Sequence, residues 1–194
     1  MKWLVALGVG LASTAWAAGG TIKGTITGPD RQPVANAAVL VEGPPVPSAS
    51  SAPHAEIDQR DQTFVPHVLV VASGSTVDFP NHDPMLHNVY SASPAKKFDL
   101  GMYEQGATRS VTFDTPGVVR IGCNVHPKME GFVVVHPNSY GAVTNDQGVY
   151  TIPGVPAGSW QVRVWDERLA ERRAPIVVHE DQVQPLDLRL ETAR

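Results

Sequence analysis

Along most of this chain, apolar and polar positions alternate over short stretches rich in Val, Ile, Thr and aromatic residues, separated by Gly, Pro, Asn and Asp. Alternation with a period of two gives a strand one inward and one outward face, and the intervening residues supply turns. The pattern predicts strands at 21–27, 38–42, 68–71, 76–79, 88–91, 110–113, 118–121, 132–135, 149–152, 160–165, 175–178 and 186–190. No long amphipathic helical period follows residue 17; one short helix is expected, near 96–101 or 166–172. Many short strands at this spacing predict an all-β fold of sandwiches or barrels. Trp160 and Trp165 lie an odd number of residues apart, so they face opposite sides of their strand. At most one is expected in the core of its own domain.

Two interruptions divide the pattern. Residues 43–54 read GPPVPSASSAPH, a stretch with few groups to bury, and a linker is expected over 43–56. His136-Pro137-Asn138-Ser139 forms the second break. Between them, residues 57–137 have the length of a small domain. The flanks, 18–42 and 138–194, are each too small to bury a core alone. They are expected to form one discontinuous domain, into whose loop the central block is inserted.

The N-terminus changes the picture of where this fold works. Met1-Lys2 is followed by an apolar run over 3–12 and by Ala15 and Ala17. That arrangement reads as a secretory signal peptide over 1–17, cleaved after Ala17. The run is too short to cross about 30 Å of hydrocarbon, and no later segment is apolar enough to span. A periplasmic or secreted protein without a membrane span is expected. The chain carries 15 basic and 19 acidic residues; without Lys2, 14 face 19. A mildly acidic chain with no basic run argues against nucleic acid or an anionic membrane as partner.

Cys123 is the chain's single cysteine. In an oxidising compartment a lone cysteine is an inert buried residue, half of an intermolecular disulfide, a reactive thiol or a metal ligand. Its neighbours favour the last. The segment Cys123-Asn124-Val125-His126-Pro127-Lys128-Met129 sets a thiol, an imidazole and a thioether on one loop between two predicted strands, and His87 precedes a further predicted strand. One thiolate, two imidazoles and a thioether suit copper in both oxidation states. Zinc is the rival metal, since Cys and His also bind it, but a thioether argues against zinc. Pro127 stiffens the loop, and Asn88 is placed to hydrogen-bond it and hold the cysteine sulfur. His82 and Met85 are expected at the surface, as are His54, His67, His136 and His179. No pair of carboxylates has a context that suggests acid–base catalysis.

The central block resembles the cupredoxins, such as plastocyanin, pseudoazurin and, in its short ligand loop, amicyanin. The resemblance rests on Phe64-Val65-Pro66, on Val71 through Gly74, Thr76, Val77 and Phe79 to Asn81, on His87-Asn88-Val89, and on Phe113 with Pro116-Gly117 before the cysteine strand. It implies one type 1 (blue) copper ion with His87, Cys123 and His126 as equatorial ligands and Met129 as axial ligand. It further implies a one-electron carrier, not an enzyme, with a c-type cytochrome or a quinoprotein dehydrogenase as redox partner. Docking would use the edge of His126 with Met85, Leu86 and Pro127 around it. Gly122 and Leu86 depart from the family pattern, which usually has a bulkier residue and a proline there. The flanks resemble the carboxypeptidase-regulatory-like (transthyretin-like) β-sandwich through GTIKGTITGPDRQPVANAAV and TNDQGVYTIPGVPAGSWQVRV. The expected architecture is thus a cupredoxin Greek-key β-sandwich inserted into a second, smaller transthyretin-like one. Copper handling, and a structural module with a vestigial metal site, are the alternative roles.

Overall fold

The computed structural model describes residues 19–44 and 54–193. The expected signal peptide over 1–17 and the middle of the expected linker, 45–53, lie outside the described residues. Before the linker come β1 (Gly20–Thr27) and β2 (Ala38–Glu42). The central block holds β3 (His54–Glu56), β4 (Asp58–Arg60), β5 (Thr63–Val65), β6 (Val68–Ala72), β7 (Ser75–Pro80), β8 (Tyr90–Ser93), β9 (Lys96–Asp99), β10 (Thr108–Phe113), β11 (Gly117–Gly122) and β12 (Glu130–His136). After it come β13 (Gly141–Val143), β14 (Val149–Val155), β15 (Gly158–Trp165), β16 (Arg172–Val178), β17 (Val183–Pro185) and β18 (Leu188–Arg189). The fold is all-β, and no helix occurs among the described residues.

The expected short helix is replaced at both sites. Residues Lys96–Asp99 form β9, which folds back on β8 with Ser93 opposite Lys96 and Tyr90 opposite Asp99. Phe98 packs on the core while Lys97 and Asp99 are exposed, which is a strand's period of two. At the other site the Asp166 carboxylate accepts the N–H groups of Arg168 and Leu169, a side-chain-closed turn that competes with helix. The end of the stretch expected as linker, His54–Glu56, is likewise ordered: it is β3, parallel to β7.

Strand pairing keeps the two ends of the chain together. β1 lies between β14 and β17 and also pairs with β18, while β2 lies between β13 and β15, with β16 beyond. The central block makes a sheet in the order β6-β12-β11-β8-β9 and a second in the order β10-β7-β3. Each pair of facing sheets encloses apolar side chains. Val77, Phe79, Val111, Phe113, Val119, Ile121, Val133 and Val135 fill the central block. Ile22, Ile26, Val39, Val41, Ile152, Val162 and Val164 fill the unit built from the two ends.

A third apolar layer joins the two units. Ala38 and Leu40 of β2 meet Val68 of β6 and Phe132 and Val134 of β12, with Trp165 at the edge. β2 therefore points Val39 and Val41 into one core and Ala38 and Leu40 into another, and β12 divides Val133 and Val135 from Phe132 and Val134 in the same way. An unbroken apolar run is what a strand covered on both faces requires. The tryptophans separate accordingly: Trp160 packs on the end-derived core and Trp165 on the shared layer, edge-on to Phe132. Since β12 follows directly from Met129, the shared layer braces the strand from which the candidate metal loop hangs.

Leu40 is fully buried in that layer. Leu40→Ala should lower the unfolding free energy by about 3 kcal/mol, whereas Val177→Ala, at an exposed strand position, should change it by less than about 0.5 kcal/mol. Urea denaturation followed by tryptophan fluorescence checks both.

Candidate metal centre

Gly122 ends β11 opposite Glu130 of β12, and the chain between them must reverse within Cys123 to Met129. The Met129 N–H donates to the His126 carbonyl at 2.8 Å, and the Cys123 N–H donates to the Met129 carbonyl at 3.3 Å. Those bonds close the loop on itself and turn Cys123 and Met129 inward, where both are buried, while His126 stays half-buried and Asn124, Val125 and Pro127 are exposed. A side chain on Gly122 would meet the Tyr90 ring at 3.1 Å. The Tyr90 ring therefore fills the space beside Gly122 from the neighbouring strand. A surface groove of about 500 Å³ beside it is lined by Tyr90, Cys123 and Met129.

His87 arrives from a different segment, between β7 and β8. Its N–H donates to the Tyr103 carbonyl at 3.2 Å, and its own carbonyl accepts the Tyr103 N–H at 2.8 Å. Asn81 ties the same loop: its Nδ2 donates to the carbonyls of Met85 and Tyr103 at 2.9 and 3.1 Å, and its Oδ1 accepts the Asp83 N–H at 3.0 Å. Tyr103 is itself anchored, donating its hydroxyl to the Phe79 carbonyl at 2.9 Å while accepting from Gln59. Burial pushes the Tyr103 phenol up to about 12, against the opposing pull of Gln59 and Arg109.

The two segments bring three ligand atoms together. Cys123 Sγ lies 3.6 Å from His87 Nδ1 and 3.8 Å from His126 Nδ1, and the two nitrogens are 3.1 Å apart. His87 is fully buried. Its Nε2 is 2.7 Å from Asp83 Oδ2, and an ionised carboxylate only accepts, so Nε2 carries the proton and Nδ1 presents a lone pair. Burial raises the Asp83 carboxyl, but the Gln62 N–H, His87 and the Asp61 N–H outweigh it and hold the group below the usual carboxylate range.

A triangle of these dimensions suits one ion. Bonds of about 2.0 Å to nitrogen and about 2.3 Å to sulfur, as in comparable first-row metal sites, give nitrogen–sulfur edges of roughly 3.7 Å and a nitrogen–nitrogen edge of roughly 3.5 Å in a trigonal plane; the two nitrogen–sulfur edges agree, and the nitrogen pair, at 3.1 Å, is closer. The donor types, two imidazoles and a thiolate with a buried thioether on the same loop, are those that copper accepts in both oxidation states. His87, Cys123 and His126 thus converge, and Met129 is buried in the core cluster that contains Cys123. Asn88 also takes the expected place. Its Oδ1 accepts the Asn124 N–H at 2.8 Å, and its Nδ2 donates to Asp99, tying the His87 segment to the cysteine loop.

Other expectations divide. His54, His82, His179 and Met85 are exposed. His67 is half-buried, bonded to the Glu130 carbonyl and to Glu167. His136 is not a surface residue: it is 2% exposed, because the sheet containing β2 covers the end of β12. It and Asn138 both donate to the Val41 carbonyl, at 2.9 and 3.1 Å, and burial lowers the His136 imidazole below its ordinary value. Asp83 was the residue that sequence reasoning missed. Its signal was a carboxylate four positions before His87 in a proline-bearing loop.

Asn88→Ala should cost about 1–3 kcal/mol of stability, since it strands a backbone donor, and amide exchange at Asn124 should accelerate; urea titration and hydrogen-exchange NMR read the two effects. Tyr103 makes an alkaline prediction. Its folded value of about 12 lies above the ordinary 10.0, so its contribution to stability is complete below pH 10 and is lost as pH rises toward 12. The tyrosinate absorbance of Tyr103 should accordingly appear late in a spectrophotometric titration and be lost in Tyr103→Phe.

The sequence profile described as copper binding proteins, plastocyanin/azurin family, matches residues 52–136. No curated protein matches the chain. Among solved structures, a methionine-to-alanine variant of amicyanin in the Cu(I) state is similar at 23% identity and a TM-score of 0.41, over 50% of this chain and 98% of that one. A purple cupredoxin from Nitrosopumilus maritimus is similar at 26% identity and a TM-score of 0.39, over 42% of this chain and 99% of that one. A copper-containing nitrite reductase from Thermus scotoductus is similar at 23% identity and a TM-score of 0.42, over 48% of this chain but only 25% of that one. The likeness to the plastocyanin/azurin family of copper-binding proteins thus lies in residues 52–136, the block that carries His87, Cys123, His126 and Met129.

Proposed function

We propose that the chain is an exported one-electron carrier in which His87, Cys123, His126 and Met129 hold a single type 1 copper ion. The observation that carries this reading is the triangle of His87 Nδ1, Cys123 Sγ and His126 Nδ1 inside a domain that matches a copper-binding family. Copper bound there would supply a couple between Cu(I) and Cu(II). The chain's own residues do the remaining work. The hydrogen bonds of Asn81, Asn88 and Tyr103 hold the ligand atoms in place, so that little rearrangement need accompany a change of charge. Burial of His87, Cys123 and Met129 excludes water from three of the four. Half-exposed His126 brings one imidazole edge to the surface, where an electron can pass.

The surroundings of His126 support docking of a redox partner. Met85, Leu86, Met102 and Val125 are exposed, each within two residues of His87, His126 or Tyr103. A small apolar surface suits brief redox encounters, which bury little area. A c-type cytochrome or a quinoprotein dehydrogenase is the proposed partner class, and the role is that of a carrier, not a catalyst. Residues 1–17 are proposed to be a cleaved signal peptide that delivers the protein to the periplasm or beyond. No helix among the described residues is long and apolar enough to cross a membrane.

Residues 18–42 and 138–194 are proposed to form one carboxypeptidase-regulatory-like sandwich. The antiparallel pairing of β1 with β14 supports this, as does the turn in which Asn145 Oδ1 accepts the N–H groups of Gln147 and Val149. Gly148 closes that turn at φ +70°, where a side chain is strained.

Added Cu(II) should give an intense visible thiolate-to-copper band at one copper per chain, absent in Cys123→Ser. A colourless chain holding stoichiometric zinc would end the copper reading. With a blue protein, stopped-flow mixing with reduced cytochrome c should bleach the band as the cytochrome is oxidised, and mixing the bleached protein with oxidised cytochrome c should run the transfer in reverse; a blue protein that exchanges electrons with no carrier but yields Cu(I) readily to a chelator would indicate copper handling instead.

A further inference from the structure

Asp83 has more partners than a loop carboxylate needs. It is 4% exposed. Its Oδ1 accepts the Asp61 N–H at 2.6 Å, and its Oδ2 accepts both the Gln62 N–H at 2.8 Å and His87 Nε2–H at 2.7 Å. Asp61 and Gln62 are the two central residues of the turn joining β4 to β5, at φ +53° and +56°. Two consecutive left-handed residues aim successive backbone N–H groups to one side, which makes a small anion cradle. Its occupant is a side chain of this same protein. The Asp83 N–H is in turn held by Asn81, which also braces the loop carrying His87.

We infer that the Asp83 carboxylate is a positioning residue for the metal: it fixes the tautomer and orientation of His87 and sets the balance between Cu(II) and Cu(I) in favour of Cu(II). This rests on the copper reading of the site. The chemistry has two parts. A buried imidazole can present Nδ1 to a metal only if Nε2 keeps the proton, and a hydrogen bond to an anion there secures that tautomer and makes Nδ1 the stronger donor. A fixed negative charge one imidazole away from the metal also stabilises the more highly charged oxidation state, because buried charges are poorly screened. The cradle supplies what such a carboxylate needs to stay ionised, two backbone donors. It comes from the β4–β5 hairpin, which provides no metal ligand. That hairpin thereby gains a function: it positions the residue that positions His87.

Asp58 supplies the control. It is also buried, at 8% exposed, and lies on the same hairpin, but its carboxylate meets His82 and Arg60 and touches no ligand. The experiment compares the full chain with Asp83→Asn and Asp58→Asn, each loaded with copper. Spectroelectrochemistry gives the potential, and chelator competition gives the affinity for each oxidation state. Asp83→Asn should shift the Cu(I)/Cu(II) ratio at fixed potential toward Cu(I) at least tenfold, which is about 59 mV for a one-electron couple. Cu(II) affinity should fall by roughly 10- to 100-fold, and Cu(I) affinity by less. Asp58→Asn should shift the ratio less than threefold.

A measurement without a variant stands beside these, in case Asp83→Asn does not fold. In the Cu(I)-loaded wild type, ¹⁵N-edited NMR should show the His87 Nε2–H far downfield and protected from exchange with water. A blue wild type whose Nε2–H exchanges freely overturns the inference, and so does an Asp83→Asn protein with the wild-type potential. A wild type that takes up no copper overturns the underlying reading, and the inference with it.

Discussion

Two imidazole nitrogens and a sulfur are held within 4 Å of one another. Three such atoms from two separate segments converge only because the backbone on both sides fixes where they sit. One side is the loop from Cys123 to Met129, closed by its own two backbone bonds and hung between adjacent antiparallel strands. The other is the segment from Asn81 to Asn88, stitched to Tyr103 through backbone and side chain. Asn88 joins the two by accepting the Asn124 N–H. Buried Gln59, Asn81, Asp83 and Asn88 all serve that pair of loops, directly or through Tyr103.

The unit built from the chain ends acts on the same constraint from a distance. β12 carries the return strand of the ligand loop, and its Phe132 and Val134 would face water without Ala38 and Leu40 of β2 against them. The polar end of the junction is also specified. His136 and Asn138 converge on the Val41 carbonyl, and a buried, neutral imidazole suits a bond to a backbone acceptor. The second unit is therefore part of the packing of the first. Its removal would expose a contiguous apolar sheet face, which soluble proteins rarely tolerate.

What could be read from the sequence follows from which interactions are local. Cys123, His126 and Met129 lie on one short loop, so their spacing alone placed them together, and His87 was recoverable because its neighbours repeat a family pattern. The alternation of Thr, Val and Phe over 76–79 and of Val and Ile over 118–121 located the strands that carry the loops. Three things were not legible. The strand β9 hides behind two lysines, whose long stems read as helix-compatible as readily as strand-compatible. The double burial of β2 and β12 gives an apolar run whose second partner is remote in sequence. His136 looks like a surface residue because the carbonyl that satisfies it belongs to Val41, nearly a hundred positions away.

Asp83 belongs to the same category, and its case shows why charge at a buried site needs the whole structure. A sequence displays an aspartate near a histidine, but not the backbone donors that let it stay charged there. With the cradle of Asp61 and Gln62 in place, the site combines one carboxylate, one thiolate and two uncharged imidazoles. Those two negative charges balance Cu(II) and leave one unbalanced charge beside Cu(I). A buried site that is neutral in one oxidation state and charged in the other favours the neutral one, because desolvation penalises net charge. The proposed bias toward the oxidised state would thus be set by residues of the β4–β5 hairpin and the His87 loop, leaving the half-exposed edge of His126 for the proposed partner. Under the proposed function, potential and recognition would rest on different histidines and different segments of the chain, so one could change without disturbing the other.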